Sequence, residues 1–407
     1  LILFIASSVV NASNFVFHMY ATRNLKPEEY GVLATMLGMI MIFTMPAMSF
    51  QMAVVKKTSS LKARERFGAI EFLFKRATML FLSAAILSFG ILFLMSRFIG
   101  DFFKIEDSYL VLITGGILII SFLVPVVRGI LQGLQRFMGL GSNMIIDAVS
   151  RLIFLVLLIS AGFGVRGSLL ASLFSAVAAY IAGLILIRPI FKYKEEAERG
   201  LIKKREILGH SVPVLAAMLG FSLLSYMDLF MVKHFFSREE AGFYAVTSII
   251  GKAFLFFPAA IVMALFPKVA EHTELNRKSG TILAKGLGLT AAISAAGIIF
   301  CAVFPEFVIK LLTGGDKYLA ISGVVRLFGV AILPLVLFNV VLNYSLASRR
   351  HFFILFIYAG AALYAGLLWF FHDSFYRVLS VMFGVNVLVL AAGLASLLAP
   401  AKKAEAQ

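Results

Sequence analysis

Seven charged side chains interrupt the apolar stretches of this sequence, and they are the first candidates for chemistry. Five are basic and two are acidic: Arg128, Arg151, Lys252, Lys285, Arg326, Asp147 and Asp228. A charge held in hydrocarbon costs at least ~2.5 kcal/mol on insertion scales, so such residues normally face a partner or a water-filled cavity. The basic excess therefore predicts a cationic interior that suits an anionic ligand.

Four of the basic residues form the predicted substrate-binding set: Lys252, Arg326, Arg151 and Arg128. Lys252 lies about eleven residues into its apolar stretch, or about 16 Å along a helix, which is close to the membrane midplane. It either contacts an anionic substrate group or pairs with Asp228 on the preceding stretch. Arg128 either joins the cavity or reaches the membrane interface through its long side chain.

The two acids, Asp228 and Asp147, are candidates for binding a coupling ion. A carboxylate inside a membrane can bind a proton or a cation and be neutralised by it. The competing interpretation for Asp228 is a salt bridge to Lys233 or Lys252. Asp147 and Arg151 stand four residues apart, a spacing that places them on one helix face and favours a self-contained pair.

Polar amide and imidazole groups recur on two other stretches. Asn11, Asn14 and His18 follow each other at spacings of three and four, and Asn339 and Asn343 repeat the pattern later in the chain. Such a stripe would be costly against lipid, so it either lines the cavity or makes hydrogen bonds between helices.

Catalytic, metal-binding and cofactor-binding patterns are not found. The six histidines are scattered without metal-ligand spacing, and the single cysteine, Cys301, forms no internal disulfide. Gly162, Gly164 and Gly167 spell G-x-G-x-x-G, but apolar stretches flank the motif where a dinucleotide site needs a strand and a helix. We therefore expect a tight turn there, and a protein that is not an enzyme and uses no cofactor.

The elements that carry these residues are membrane helices. The chain of 407 residues is 61% hydrophobic and 14% charged, whereas soluble domains are about 45–50% apolar and about 25% charged. A span needs roughly 20 apolar residues. The sequence predicts an all-α integral membrane protein with about 12 transmembrane helices, at residues 1–20, 30–55, 77–99, 109–134, 138–161, 166–188, 207–232, 241–267, 282–304, 318–346, 352–371 and 375–399.

The distribution of basic residues predicts the topology. Connections on one side, chiefly 56–76 and 189–206, carry more than twice as many Lys and Arg as those on the other side. Because basic loops stay on the cytoplasmic side, both termini are predicted to be cytoplasmic and the protein to lie in the cell (inner) membrane. The net charge of +16 is then mostly a topology signal, and we expect no nucleic-acid partner.

The two halves of the chain share one plan. Glu28, Glu29, Gly31 and Ala34 align at one constant offset with Glu239, Glu240, Gly242 and Ala245. Since each half has an even number of spans, the halves are predicted to be two parallel six-helix lobes around a central cavity. The predicted boundaries are an N-terminal lobe at 1–195, a cytoplasmic linker at 196–206, a C-terminal lobe at 207–400 and a polar tail at 401–407.

Prolines recur at matching places in the two halves. Pro46 matches Pro258, and Pro125 matches Pro334. Proline inside a helix removes a backbone hydrogen bond and kinks the helix. These four residues are therefore candidate hinges for alternating access, and the competing interpretation is a fixed packing geometry.

Several segments resemble the polysaccharide and oligosaccharide flippases of the multidrug/oligosaccharidyl-lipid/polysaccharide (MOP) exporter superfamily. The segments are RNLKPEEYGVLA, LQGLQRF, YMDLFMVKHFFSREEAGFYAVTSI and FPAAIVMALFPKVAE. The resemblance implies two six-helix lobes facing a cavity, and transfer of an isoprenoid-diphosphate-linked glycan from the inner to the outer leaflet by alternating access. It also implies a lipid-linked glycan and membrane lipids as partners, H⁺ or Na⁺ as a coupling ion, and contact with glycan-assembly proteins.

Other functions compete with this one. A cation-coupled drug or metabolite exporter of the same superfamily would favour acidic cavity sites, and only Asp147 and Asp228 are available in the spans. A membrane-embedded glycan polymerase or transferase would need an acid/base or metal constellation. The major facilitator class has a characteristic motif between its second and third helices that this chain lacks.

Overall fold

The computed structural model of the chain describes residues 2–192, 212–256, 269, 280–348 and 350–397. Its regular elements over these residues are all helical, with fourteen α-helices. The chain divides into two compact units, Leu1–Leu215 and Ala216–Gln407. The predicted linker at 196–206 and the predicted polar tail at 401–407 both lie outside the described residues. The predicted lobe boundaries therefore remain predictions.

Residues 2–192, the part of the first unit described up to the gap before Val212, form seven α-helices and a short 3₁₀ turn at Arg188–Lys192. The helices are α1 (Ile2–Asn24), α2 (Pro27–Ala63), α3 (Phe67–Leu94), α4 (Ser96–Phe102), α5 (Ser108–Gly133), α6 (Phe137–Ser160) and α7 (Gly164–Ile187).

The described residues from Val212 onwards form seven more helices, with short 3₁₀ segments at Ala253–Phe256 and Leu319–Ile321. The helices are α8 (Val212–Phe235), α9 (Arg238–Lys252), α10 (Gly280–Val303), α11 (Pro305–Thr313), α12 (Ser322–Ala347), α13 (Phe353–Phe370) and α14 (Phe375–Ser396).

Eleven of the described helices are long and apolar enough to cross a membrane. They confirm the prediction of an all-α, multi-pass membrane protein. The eighth predicted span, 241–267, is described only as far as Phe256, so it is not among the eleven.

One predicted connection is wrong. We expected a loop at 56–76, but α2 continues to Ala63 and α3 begins at Phe67, leaving a turn at 64–66. Glu65 has a left-handed backbone in that turn, with φ 56°. The prediction failed because hydropathy indicates where a helix leaves the hydrocarbon, not where the helix ends. The backbone hydrogen bonds continue into water where Lys and Arg replace apolar residues.

The glycine motif forms the expected tight turn. Gly162 has φ 85° between α6 and α7, a conformation that costs side-chain-bearing residues about 1–2 kcal/mol. The Phe163 N–H donates to the Leu158 carbonyl at 3.1 Å and the Gly162 N–H to the Ile159 carbonyl at 2.9 Å. This pair of bonds is a Schellman ending of α6.

Helix α5 is the central helix of the first unit and packs against α2, α3 and α7. A β-carbon at Gly183 of α7 would lie 2.4 Å from Val127 Cγ1 of α5 and 3.2 Å from Asn143 Nδ2 of α6. The glycine thus lets α7 approach the polar side chains of α6, where the candidate site lies.

In the second unit α12 has the central place and packs against α9, α10 and α14. The repeat is visible at the start of α2 and α9. The Glu29 carboxylate accepts from the Lys26 N–H at 2.8 Å, and the Glu240 carboxylate accepts from the Ser237 N–H at 3.0 Å. Matching glutamates therefore satisfy the same free backbone donor in both halves.

Three of the four candidate hinge prolines lie inside described helices. Pro46 is in α2, Pro125 in α5 and Pro334 in α12. Pro258 lies outside the described residues. Their role as hinges remains a prediction.

Candidate functional site

A charged hydrogen-bond network joins three helices of the first unit. The Arg128 guanidinium of α5 donates from Nε to Asn143 Oδ1 and from Nη2 to Asp147 Oδ2, both at 2.8 Å. Asn143 in turn donates to the Ala179 carbonyl of α7 at 2.6 Å. Arg128 and Asp147 have side chains 21% and 32% exposed, so the pair is only partly buried.

This geometry corrects one sequence expectation and decides another. The favoured pairing of Asp147 with Arg151 is not seen as an ion pair among the described residues, because Arg128 from the neighbouring helix takes the carboxylate. Arg128 therefore points to a carboxylate rather than merely to the interface. Asn143 was not predicted, although it precedes Asp147 by four residues and shares its helix face.

Arg151 lies one turn further along α6 and has neutral partners. Its Nη2 donates to Asn14 Oδ1 of α1, and its guanidinium lies 5.1 Å from the centre of the Phe17 ring. Its buried Nε has no hydrogen-bond partner within the described part of the chain. The Arg151 guanidinium therefore has no carboxylate within ion-pair distance among the described residues.

Two residues of the predicted stripe on α1 make hydrogen bonds to other helices. Asn14 contacts Arg151, and His18 Nδ1 shares a hydrogen bond with the Tyr30 hydroxyl of α2 at 3.2 Å. Asn11 is exposed. We call the residues that meet here the unit 1 polar cluster: Asn14, His18, Arg128, Asn143, Asp147 and Arg151. With two arginines and one aspartate, the formal charge of this cluster is one positive unit.

A second charged pair lies buried in the second unit. Lys252 Nζ donates to Asp228 Oδ1 at 2.9 Å, and the two side chains are 10% and 1% exposed. The Tyr244 hydroxyl donates to Asp228 Oδ2 at 3.0 Å, and Lys252 Nζ lies 4.8 Å from the centre of the Tyr226 ring. We call Tyr226, Asp228, Tyr244 and Lys252 the unit 2 polar cluster; its two formal charges cancel.

Of the two interpretations of Lys252, the structure shows the ion pair. Lys252 is the last residue of α9, where the helix tightens into the 3₁₀ segment. The preceding Gly251 allows close approach to α12, because a β-carbon there would lie 1.8 Å from Phe328 Cδ1. Sequence reasoning missed both tyrosines, since a tyrosine among twelve in an apolar chain gives no signal of its partner.

The remaining predicted residues do not join these clusters. Arg326 is exposed near the start of α12 and makes no hydrogen bond or ion pair within the described residues. Asn343 Nδ2 donates to the Asn339 carbonyl and side-chain oxygens at 2.8 and 2.9 Å, so this pair is self-contained. Within the described ranges no three His, Cys, Asp or Glu side chains converge on a metal-sized site.

Comparison with solved structures identifies the fold. The structure titled "Lipid II flippase MurJ, inward closed conformation" matches with a TM-score of 0.71 at 12% identity, covering 97% of this chain and 88% of that one. An inward-facing multidrug resistance MATE family transporter of the MOP superfamily matches with a TM-score of 0.69 at 13% identity, covering 96% and 93%. The fold is therefore that of MOP-superfamily flippases and transporters.

Sequence comparison then gives the family. The profile of the family described as "Polysaccharide biosynthesis protein" matches residues 1–272, and the chain belongs to this family. This confirms the resemblance found in the sequence. The uncharacterized membrane protein MJ1375 of Methanocaldococcus jannaschii is 25% identical over 190 residues, which cover 44% of each chain, so the match spans less than half of that relative.

Proposed function

We propose that the protein moves a lipid-diphosphate-linked oligosaccharide or polysaccharide repeat unit from the inner to the outer leaflet of the cell membrane by alternating access, with both termini cytoplasmic. Family membership and the shared fold support transport across a membrane. The choice of substrate rests on charge, because a diphosphate entering a low-dielectric layer needs compensating positive charge.

Arg151 is the observation that carries the proposal. Its neutral partners, Asn14 and the Phe17 ring, orient the guanidinium without cancelling its charge. A guanidinium presents five donors in a planar fork that fits phosphate oxygens. The unit 1 polar cluster is thus preorganised for a phosphate, whereas Lys252 would have to leave Asp228 before it could contact one.

The same contacts bear on the coupling ion. H⁺ or Na⁺ binding at Asp228 would have to displace the Lys252 ammonium, which already neutralises the carboxylate. The Asp147 carboxylate is more exposed than that of Asp228, and its partner Arg128 also donates a hydrogen bond to Asn143. We therefore assign ion coupling to Asp147, the less buried of the two carboxylates. An organic cation would have to compete with Arg128 for Asp147 or with Lys252 for Asp228, which disfavours an exporter of organic cations.

Flipping by the purified protein in liposomes tests the proposal. The probe is a fluorophore-labelled isoprenoid-diphosphate disaccharide, and the fraction that a membrane-impermeant quencher reaches is followed with time. Arg151→Gln should slow flipping about tenfold or more, since a charge-assisted hydrogen bond contributes about 1.5–3 kcal/mol. Arg151→Lys should recover part of the rate.

Arg97→Gln is the matched control, because Arg97 is an exposed arginine of the short helix α4. It should flip the probe like the unmodified protein. Unchanged flipping in Arg151→Gln would contradict the assignment of the diphosphate to Arg151. No flipping by the unmodified protein with several isoprenoid-diphosphate probes would contradict the substrate class.

A further inference from the structure

A groove of about 530 Å³ lies on the second unit, between the end of α13 and the first half of α14. Its volume falls within the range of about 300–1,000 Å³ of small-ligand sites. Apart from one arginine and one serine, its lining is apolar or glycine. The residues that matter for its shape are Leu367, Phe371, Arg377, Val381, Gly384 and Leu388.

The groove runs along one face of α14. Its residues Arg377, Val381, Gly384 and Leu388 follow at spacings of three and four, which place them in one row. From Arg377 to Leu388 the row extends about 16 Å along the helix at 1.5 Å per residue. Gly384 leaves the row indented, since a β-carbon there would meet no atom within 4 Å.

Arg377 stands at one end of this apolar row and is incompletely paired. Its Nε lies 3.9 Å from Asp373 Oδ2, a long contact between side chains that are 56% and 75% exposed. Its guanidinium lies 5.8 Å from the centre of the Phe371 ring. Most of the five guanidinium donors therefore remain available to an acceptor from outside the protein.

We propose that this groove binds an anionic membrane phospholipid, with an acyl chain along the row from Val381 to Leu388 and the phosphate at Arg377. Both groove helices are long and apolar enough to span a membrane, and the exposed apolar lining of the groove suits contact with lipid. An acyl chain fits the apolar length, and a negative headgroup complements Arg377. This inference does not depend on the transported substrate.

Fluorescence quenching by bromine-labelled lipids tests the site. The chain has one tryptophan, so Trp369→Phe gives a silent background in which Phe383→Trp places a reporter on the groove lining. Ile293→Trp is the matched reporter, on the exposed surface of α10 away from the groove. Vesicles contain brominated phosphatidylglycerol mixed with phosphatidylcholine, or brominated phosphatidylcholine alone.

The groove reporter should favour phosphatidylglycerol over phosphatidylcholine about fivefold, as expected for one basic residue near the membrane surface. The α10 reporter should show almost no preference. Equal preference at both positions would overturn the proposal, since ordinary boundary lipid would then account for the quenching.

Variants locate the two parts of the ligand. Arg377→Gln should abolish the preference, and Asp373→Asn should increase it by removing the competing carboxylate. Gly384→Leu should fill the groove and lower quenching by both lipids, whereas Gly288→Leu, at an equally open glycine of α10, should not. An unchanged preference in Arg377→Gln would overturn the headgroup site, and that exposed substitution carries the test if Gly384→Leu fails to fold.

Discussion

The polar clusters of the two units have different arrangements of charge. The unit 1 polar cluster contains two arginines and one carboxylate. Arg128 pairs with that carboxylate, whereas Arg151 donates to the amide of Asn14. In the unit 2 polar cluster one ammonium meets one carboxylate, and tyrosines surround the pair. The first cluster retains a positive charge for a ligand, and the second satisfies its charges internally.

The two clusters differ in whether their basic residues are available to bind a substrate. Depth in the membrane suggests Lys252, but depth alone does not make a charge available. The Lys252 ammonium already contacts a carboxylate that is 1% exposed, so removing the lysine would leave a buried charge without its partner. An arginine held by an amide and an aromatic ring retains its charge for an anion. Substitutions at the two clusters should therefore separate stability from transport.

The largest expected effect is on stability, from Lys252→Ala. The substitution leaves the Asp228 carboxylate buried with only the Tyr244 hydroxyl as a described partner, and breaking a buried pair in this way costs about 3–5 kcal/mol. We expect a loss of that size in the free energy of unfolding in detergent, measured by denaturant titration. Asp228→Asn alone should also destabilise the protein, because it leaves the ammonium unpaired.

The double variant Asp228→Asn with Lys252→Met is the control. It removes both charges and keeps much of the volume, so its stability should lie closer to that of the unmodified protein than either single variant. If Lys252→Ala retained full stability but lost flipping, the structural role of Lys252 would be contradicted. Contact between Lys252 and the substrate would then be the better interpretation.

Arg128→Gln should have a smaller effect on stability. Arg128 donates two hydrogen bonds, but its pair with Asp147 is more exposed than the Lys252–Asp228 pair, so less burial of charge is left uncompensated when it is lost. We expect a loss of about 1.5–3 kcal/mol in the same titration. A loss as large as that of Lys252→Ala would contradict the difference between the two clusters. The Arg128–Asp147 pair would then be as costly to break as the buried Lys252–Asp228 pair.

Much of the fold could be predicted from the sequence. Long apolar stretches give the spans, since a helix that satisfies its own backbone is the stable form of such a stretch in lipid. The matching glutamates Glu29 and Glu240 indicated the repeat, and both prove to cap their helices. Helix ends were harder, as α2 and α3 show, because charged residues extend a helix beyond the hydrocarbon.

The partners of the charged residues could be predicted only in part. Spacing along one helix suggested Asp147 with Arg151, yet Arg128, nineteen residues before Asp147 and on another helix, takes the carboxylate. Such a contact depends on how α5 and α6 pack, which local spacing does not encode. The Lys252 pair was foreseeable as one of two options, because a lone carboxylate on the preceding span needs a counter-charge.

The smallest expected effect is that of Asn339→Ala on α12. Asn343 then loses one side-chain acceptor but keeps the backbone carbonyl of residue 339 at 2.8 Å, and alanine has a higher helix propensity than asparagine. We expect stability to change by no more than about 1 kcal/mol and the liposome flipping rate to stay unchanged.

Asn14→Ala is the counterpart in the first unit. Because it removes the acceptor that orients Arg151, it should slow flipping. If Asn339→Ala slowed flipping as much as Asn14→Ala, the transported anion would contact polar groups of the second unit as well, and the assignment of the ligand charge to the unit 1 polar cluster alone would be wrong.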